Sequence, residues 1–324
     1  MRSVRGASLA GAAVMALVFL PGCGKVGKLK AMKSFKAANQ AYAQQDYRKS
    51  AQLYEDVVKE APDEPDLFSA YFYLGNSYDN QFKPSKKGEA DNDALLTKAA
   101  QDYQAAAEKL STSSKPEDKK LGKLSLEYLV AVYGPDKLND PAKAEPVVQR
   151  MIQLEPGEPT NYFALAKIYE DAGAYPNAED ILIKARDARP NDPAVYMQLA
   201  GYYNRQGQFD KTIDALQQRA AKEPNNPEAF HTIATYYWDE AYRDARLKEP
   251  QKKEFIQKGL EAVNQAIKIK PDYMEALVYK GLLLRLQANM EKDPKKQQEL
   301  IREATVLHDK AEELRKKKAA GVGD

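Results

Sequence analysis

The residue types that most often perform chemistry are scarce in this chain. It contains a single cysteine, Cys23, and only two histidines, His231 and His308. A lone cysteine cannot form an intrachain disulfide or a cysteine-based zinc site. No glycine-rich phosphate loop, His–Glu zinc motif or serine nucleophile between glycines occurs. The sequence therefore predicts a protein that is not an enzyme and that has no metal and no cofactor.

One acidic cluster invites a metal-binding interpretation. Glu89, Asp91 and Asp93 alternate along a short segment. A calcium loop also needs a central glycine and a terminal glutamate that chelates with both oxygens, and this segment lacks both. We interpret the cluster as a solvated turn.

Cys23 is informative because of what precedes it. Arg2 and Arg5 are followed by an apolar run from Ala7 to Leu20, and then by Pro-Gly-Cys. Such a run is short for a bilayer span but fits the apolar region of a secretory signal. A small residue directly before the cysteine resembles the bacterial lipoprotein signal, which implies cleavage after residue 22 and acylation of Cys23.

The predicted location follows from that resemblance. A lipidated Cys23 would anchor the protein to a membrane of the cell envelope, facing outside the cytoplasm. Gly24 rather than aspartate follows the cysteine, so nothing resembles an inner-membrane retention signal; the periplasmic side of an outer membrane is expected if the organism has one. The alternative is an uncleaved anchor that ends in an ordinary cysteine.

The charge balance excludes one class of partner. Without Arg2 and Arg5, the 49 basic residues become 47, equal to the 47 acidic residues. A nucleic-acid binder needs a basic stripe to neutralise phosphates, so no nucleic-acid partner is expected. Alternating β-branched runs are absent as well, which predicts an all-α chain.

Apolar and small residues recur at helical spacing in the middle of the chain. The residues that share this pattern are Tyr162, Leu165, Ala166 and Tyr169 on one helix, and Ala178, Leu182 and Ala185 on the next. Each set predicts one apolar helix face. Gly173 lies between the two helices and Pro190 closes the second.

The whole pattern returns at a constant offset further along the chain. Its second copy comprises Tyr196, Leu199, Ala200, Tyr203, Gly207, Phe209, Thr212, Leu216, Arg219 and Pro224, and a third begins with Phe230, Ile233, Ala234 and Tyr237. A period of about 34 residues with these residue types resembles the tetratricopeptide repeat (TPR). The resemblance implies a right-handed α-solenoid of about seven helix–turn–helix repeats, which stack because one hairpin cannot bury its apolar face alone.

The register of the regular copies divides the chain into segments. The predicted segments are a signal peptide (1–22), a lipidated tether (23–30), a TPR solenoid (31–318) and a tail (319–324). The predicted repeats lie near 31–64, 68–113, 123–158, 159–192, 193–226, 227–273 and 274–318.

Three repeats carry insertions. In repeats 2, 6 and 7 the second helix begins later in the sequence than in the regular copies, by a number of residues equivalent to roughly three helical turns. The extra residues lie in the same hairpin turn of each repeat. Insertions at one edge of a solenoid often serve binding. Longer helices are favoured for repeat 6, whereas a loop and longer helices are equally compatible with repeat 2.

In the TPR family the first helices line a concave surface that binds peptides. Carried over by position, the resemblance implies a partner-binding face formed by Phe72, Asn76, Asn80, Phe163, Lys167, Glu170, Met197, Asn204, Arg205, His231, Thr235 and Trp238. Trp238 is singled out because tryptophan is a common hot spot; its alternative role is to pack against the insertion of its own repeat. Some family members clamp a carboxylate with a lysine where this chain has Phe72, so no such clamp is expected.

These observations predict a non-catalytic protein–protein interaction scaffold. It would be lipid-anchored in the bacterial cell envelope, hold a peptide or helix in its concave groove, and support the assembly of envelope or secretion complexes. Two alternatives stay open: an envelope hydrolase acting on peptides or glycans, and a structural oligomer that assembles with copies of itself.

Overall fold

The computed structural model describes residues 22–321, and side chains from residue 26 onward. The predicted signal peptide, apart from Gly22, and the side chain of Cys23 therefore lie outside the described residues. Within the described range the chain is all-α and has no strand, as predicted. None of the helices in this range is long and apolar enough to cross a membrane.

Fourteen α-helices follow one another along the described chain. They are α1 (Gly22–Ala43), α2 (Tyr47–Glu60), α3 (Ser69–Asp79), α4 (Ala90–Ser111), α5 (Pro116–Tyr133), α6 (Pro141–Leu154), α7 (Pro159–Asp171), α8 (Tyr175–Ala188), α9 (Pro193–Arg205), α10 (Phe209–Lys222), α11 (Pro227–Arg243), α12 (Glu249–Ile269), α13 (Met274–Asn289) and α14 (Pro294–Ala319). Successive pairs correspond to seven helix–turn–helix repeats, so the predicted fold class is confirmed.

The described residues form two compact units, unit 1 up to residue 147 and unit 2 from residue 148. In unit 1, α1 packs on α2 and α3 packs on α4, while α5 packs against both α3 and α4. Tyr54, Tyr103 and Leu129 are among the largest side chains that are fully buried there.

In unit 2, each helix from α7 to α14 packs against the next. The residues of the sequence pattern form the core, because Leu182, Leu199, Ala200 and Leu216 are all buried in one apolar cluster. The same unit has a second cluster at α11–α14, where Val263 and Leu283 are buried.

Hydrogen bonds explain why tyrosine and proline recur together in the pattern. Tyr162 Oη donates to the carbonyl oxygen of Pro156 at 2.8 Å, and Tyr196 Oη donates to that of Pro190 at 2.7 Å. Each bond ties the start of one hairpin to the chain that leaves the previous one. The turn glycine Gly207 has a φ of +67°, a conformation that costs other residues free energy.

The insertions of repeats 6 and 7 lengthen helices. Helix α11 has 17 residues and α12 has 21, against 13 in α9 and 14 in α10. The longer helices favoured for repeat 6 are thus confirmed. In repeat 7, α13 has 16 residues and α14 has 26.

The insertion of repeat 2 is divided between a loop and a helix. Helix α4 is 22 residues long, and a short 3₁₀ turn, Pro84–Lys86, lies in the connection before it. Neither alternative from the sequence describes this insertion alone, because part of it extends α4 and part of it forms an ordered loop.

The segment predicted to be a tether, residues 23–30, belongs to α1. Lys28 Nζ is 2.8 Å from Glu64 Oε1, and Lys30 Nζ is 2.5 Å from Glu60 Oε1. Lys28 and Lys30 therefore form ion pairs with the end of the first hairpin.

Candidate functional site

A cavity of about 630 Å³ lies among the first helices of the hairpins of unit 1. Its lining residues come from α1, the start of α2, α3, α5 and the two loops that follow α3 and α5. They are Tyr42, Tyr47, Phe72, Asn76, Asp79, Asn80, Phe82, Pro84, Leu124, Tyr128 and Lys137. We call it the unit 1 cavity.

Helical spacing aligns the lining residues. Phe72, Asn76 and Asn80 follow one another at intervals of four along α3 and its C-terminal cap, so they share one face. Leu124 and Tyr128 have the same spacing on α5. The cavity is thus bounded by two aligned helix faces.

Asn76 is the centre of a polar network in the cavity floor and is only 5% exposed. Its Oδ1 accepts hydrogen bonds from Tyr42 Oη at 2.6 Å and from Asn80 Nδ2 at 2.7 Å. Its Nδ2 donates to Tyr103 Oη at 3.2 Å. Burial raises the pKa of Tyr42 to about 12, so its hydroxyl stays protonated as a donor. The amide of Asn76 therefore makes its hydrogen bonds within the protein.

Aromatic rings form much of the wall. Phe72 and Tyr128 meet edge to face with centroids 5.5 Å apart, and Tyr103 lies 5.4 Å from Tyr128. Tyr42 and Tyr47 make a second edge-to-face pair at 5.7 Å. These contacts hold the rings in defined orientations.

An ion pair completes the lining. Lys137 Nζ, on the loop after α5, lies 2.5 Å from Asp79 Oδ1 at the end of α3. The Asp79 side chain is 9% exposed and that of Lys137 is 26% exposed. Tyr103 Oη is also within 3.5 Å of the second carboxylate oxygen.

The insertion of repeat 2 forms one side of the cavity through Phe82 and Pro84. Buried Asn92 fixes this loop, because its Oδ1 accepts from Lys83 N at 2.9 Å and its Nδ2 donates to Lys83 O at 3.2 Å. Lys87 Nζ donates to Pro135 O at 2.6 Å, which joins the loop after α3 to the loop after α5.

The predicted face in unit 1 is therefore a cavity, and Phe72, Asn76 and Asn80 are brought together in it. Phe72, at 5% exposure, lies in its floor. Sequence reasoning missed Tyr42, Tyr128, Asp79 and Lys137. Residues 116–122, which lie between the predicted repeats 68–113 and 123–158, belong to α5, and recognising the start of that helix would have placed Tyr128 on its inner face.

The predicted residues on α7 and α9 participate mainly in ion pairs. Lys167 pairs with Asp171 on its own helix. Arg205 donates two hydrogen bonds to Glu170, at 2.7 and 2.9 Å, and this pairing lowers the pKa of Glu170. Arg205 thus links two neighbouring hairpins, while Asn204 is exposed.

Met197 and Phe163 are half-buried against the apolar core of unit 2. Arg219 Nη1 lies 3.0 Å from Met197 Sδ, and the same guanidinium binds Glu223 at 2.8 Å and Glu228 at 3.1 Å. Arg219 occupies a buried position of the repeat, where the previous copy has Ala185, and these contacts compensate for burying its charge.

The predicted residues on α11 belong to an aromatic cluster. Trp238 stacks on Tyr242 with centroids 5.1 Å apart and meets Tyr279 edge to face at 5.6 Å. His231 contacts Tyr279 at 5.0 Å, and burial lowers the pKa of the histidine. Thr235 Oγ1 donates to His231 O at 3.0 Å.

The packing of Trp238 combines the two roles considered for it. Tyr242 lies in the part of α11 lengthened by the insertion, so the tryptophan does pack against its own insertion. Tyr242 itself is 60% exposed. The cluster therefore leaves an aromatic surface beside the packed ring.

A titratable cluster lies at the contact between the first two repeats. Glu55 on α2 accepts a hydrogen bond from Tyr78 Oη on α3, and Lys98 Nζ on α4 lies 3.3 Å from the same hydroxyl and 3.7 Å from Glu55. Burial, together with the negative charge of Glu55, raises the pKa of Asp102 to about 7. This carboxyl is thus half-protonated near neutral pH.

Among the residues that the structure describes, no three His, Cys, Asp or Glu side chains are arranged to hold a metal ion. The candidate site is a cavity lined by aromatic, amide and paired charged groups.

Comparisons with known proteins found one family match, over part of the chain. The tetratricopeptide repeat family matches residues 137–202. No curated protein matches the chain.

Several solved structures are similar to it. The C-terminal part of a TPR repeat-containing protein from Cytophaga hutchinsonii has 18% identity and a TM-score of 0.48, covering 86% of this chain and 98% of that one. A tetratricopeptide repeat protein from Parabacteroides merdae has 12% identity and a TM-score of 0.43, covering 86% and 99%. MamA from Desulfovibrio magneticus, from residue 41 to its end, has 16% identity and a TM-score of 0.40, covering 60% and 95%. The repeat fold in general provides a protein-interaction scaffold.

Proposed function

We propose that this protein is a non-catalytic interaction scaffold of the bacterial cell envelope, and that the unit 1 cavity binds a segment of a partner protein. The observation that carries the proposal is the cavity itself, with its fixed aromatic walls and its internally satisfied amide. A volume of about 630 Å³ falls within the range of small-ligand pockets. It would accept one or two side chains of an extended segment.

Preorganisation supports binding at this place. Tyr42, Asn76 and Tyr103 are held by hydrogen bonds before any partner arrives, so little ordering cost accompanies binding. The loop of repeat 2 adds Phe82 and Pro84 to the cavity, in agreement with a binding role for that insertion.

The proposed location depends on Cys23 and the segment before it. Acylation of this cysteine would hold the scaffold at a membrane, where a bound partner would be kept close to envelope complexes. The proposed role is therefore to concentrate or orient a partner for assembly.

A site-specific crosslinking experiment tests the binding function. Leu124 lines the cavity without taking part in the Asn76 network, so we would replace it with p-benzoylphenylalanine in cells. Val306, which is 62% exposed on α14, serves as the matched surface control. We expect a specific protein adduct from position 124 that is absent at position 306 and is reduced by Tyr128→Ala.

The captured protein would be identified and purified, and its binding to the isolated scaffold measured. Equal adducts at both positions, or an adduct insensitive to Tyr128→Ala, would contradict binding in the cavity.

A further inference from the structure

We propose that the unit 1 cavity recognises a cationic side chain of the partner, with arginine preferred, and that Lys137 occupies the place of that side chain in the free protein. The proposal rests on the binding function proposed above and specifies the chemistry of the bound segment. It follows from the charges of the lining residues, from the aromatic walls and from the exposure of Lys137.

The cavity contains a fixed negative site. Asp79 is the last residue of α3, where the helix dipole already places partial negative charge, and the last turn of α3 contains no basic residue. Its side chain is 9% exposed. A largely buried carboxylate at this position requires a cation from another element.

The walls favour the same charge. Tyr42, Tyr47, Phe72, Phe82 and Tyr128 all line the cavity, and the face of an aromatic ring attracts cations. The amide of Asn76, the main polar group of the floor, already has partners on both its oxygen and its nitrogen. What the cavity offers a ligand is therefore mainly aromatic surface, the amide of Asn80 and one carboxylate.

Lys137 provides the required cation but is replaceable. It reaches Asp79 from the loop after α5, and 26% of its side chain is exposed. Asp79 and Lys137 are the charged residues among those that line the cavity. The pair shows that an ammonium group can reach the carboxylate. Because Lys137 is partly exposed, its ammonium can leave for water when another cation takes its place on the largely buried Asp79 carboxylate.

Arginine is the better competitor for this place. Its planar guanidinium can bind both carboxylate oxygens and stack on an aromatic ring at the same time. The displaced Lys137 ammonium would return to water, where solvation compensates for the lost pair.

Fluorescence anisotropy with the purified chain tests the proposal. The probe is a fluorescein-labelled peptide, Ala-Pro-Arg-Phe-Ala, and its control contains citrulline, which has nearly the shape of arginine but no charge. We expect the arginine peptide to bind at least about tenfold more tightly, because the citrulline peptide leaves Asp79 without a ligand charge. Asp79→Asn should abolish that preference.

Lys137→Gln gives the decisive result. Removing the internal competitor should tighten binding of the arginine peptide about two- to fivefold, because the peptide no longer has to displace a partly exposed lysine. Lys119→Gln, which changes an exposed lysine on α5 that does not line the cavity, should have no effect. Weaker or unchanged binding in Lys137→Gln would overturn the proposal, as would failure of the arginine peptide to bind.

The folding of each variant would be checked by circular dichroism; if Asp79→Asn does not fold, the response of Lys137→Gln alone decides. Equal binding of the two peptides, lost in Tyr128→Ala, would overturn cation recognition and leave the cavity as a binding site. An absence of crosslinks from position 124 would instead contradict the binding function itself.

Discussion

Replacing Asp102 with asparagine should stabilise the protein at neutral and alkaline pH but barely change it in acid. Asp102 lies on α4 one helical turn after Lys98, and the matching residue of the regular repeat, one turn after Lys211, is the buried Ala215. A Cβ atom on Gly75 would lie 3.3 Å from the Cβ of Asp102, which shows how closely α3 and α4 approach here. The carboxyl therefore stands where repeat 5 buries the methyl group of Ala215.

The expected magnitude comes from the pKa. Burial and the charge of Glu55 raise the pKa of Asp102 from 3.8 to about 7, while Lys98 partly opposes this. Since one pKa unit corresponds to about 1.36 kcal/mol, charging Asp102 costs the folded state up to about 4 kcal/mol. The folded pKa is the higher one, so stability falls as pH rises from about 4 to about 7 and changes little above that.

Urea unfolding followed by far-ultraviolet circular dichroism at pH 4 and pH 8 measures this effect. Asp102→Asn should raise the free energy of unfolding by up to about 4 kcal/mol at pH 8 and by only about 0.5 kcal/mol at pH 4. Glu108→Gln, an exposed carboxyl on the same helix, should show no comparable difference. An equal gain at both pH values would refute the reasoning, because the benefit would then not come from removing a charge.

Two further predictions concern the anchor and a turn. Cys23→Ala should move the protein from the membrane fraction to the soluble fraction after cell fractionation, because no acyl chain could be attached; unchanged membrane retention would exclude anchoring through Cys23. Gly207→Ala should lower the free energy of unfolding by about 1 kcal/mol, because its φ of +67° is strained for alanine although no atom lies near the new methyl group. Gly201→Ala, inside α9, should instead raise the free energy of unfolding by about 0.5–1 kcal/mol, because alanine favours a helix interior and its methyl group would contact only the flexible end of Arg205. A loss of stability in both glycine variants would contradict this explanation.

The hairpins could be predicted because the residues that specify them are local. Tyr196 packs in the core and bonds to Pro190 only six positions earlier, so one period of the sequence contains both partners of the contact. The turn glycine Gly207 is explained by its own backbone conformation, and the small residue Ala200 by its burial in the apolar cluster of unit 2. Because these local contacts repeat, the architecture can be predicted from the sequence alone.

The candidate site could be predicted only in part. Phe72 and Asn76 were identified from their position in the repeat, yet their burial depends on Tyr128 and Tyr42, which come from other repeats. Lys137 reaches Asp79 across 58 residues of sequence, from a loop. Such pairings depend on how the hairpins stack and on the path of the connecting loops. The periodic pattern of the sequence specifies neither the stacking nor the path of the loops.

The insertion of repeat 2 adds to the cavity without disturbing the stack, and a repeated contact explains how. In the regular repeats, Tyr203 Oη donates to Glu179 at 3.0 Å and Lys211 Nζ binds the same carboxylate at 2.8 Å. Glu55, Tyr78 and Lys98 form the equivalent group.

The spacing within these two groups locates the inserted residues. More residues separate Tyr78 from Lys98 than separate Tyr203 from Lys211. The difference between the two separations equals the length of the insertion. All the inserted residues thus lie between two fixed points of the hairpin, where they extend α4 and form the loop that carries Phe82 and Pro84. The contact among Glu55, Tyr78 and Lys98 is preserved although residues are inserted between Tyr78 and Lys98. The insertion can therefore add a wall to the cavity while α2, α3 and α4 keep their packing.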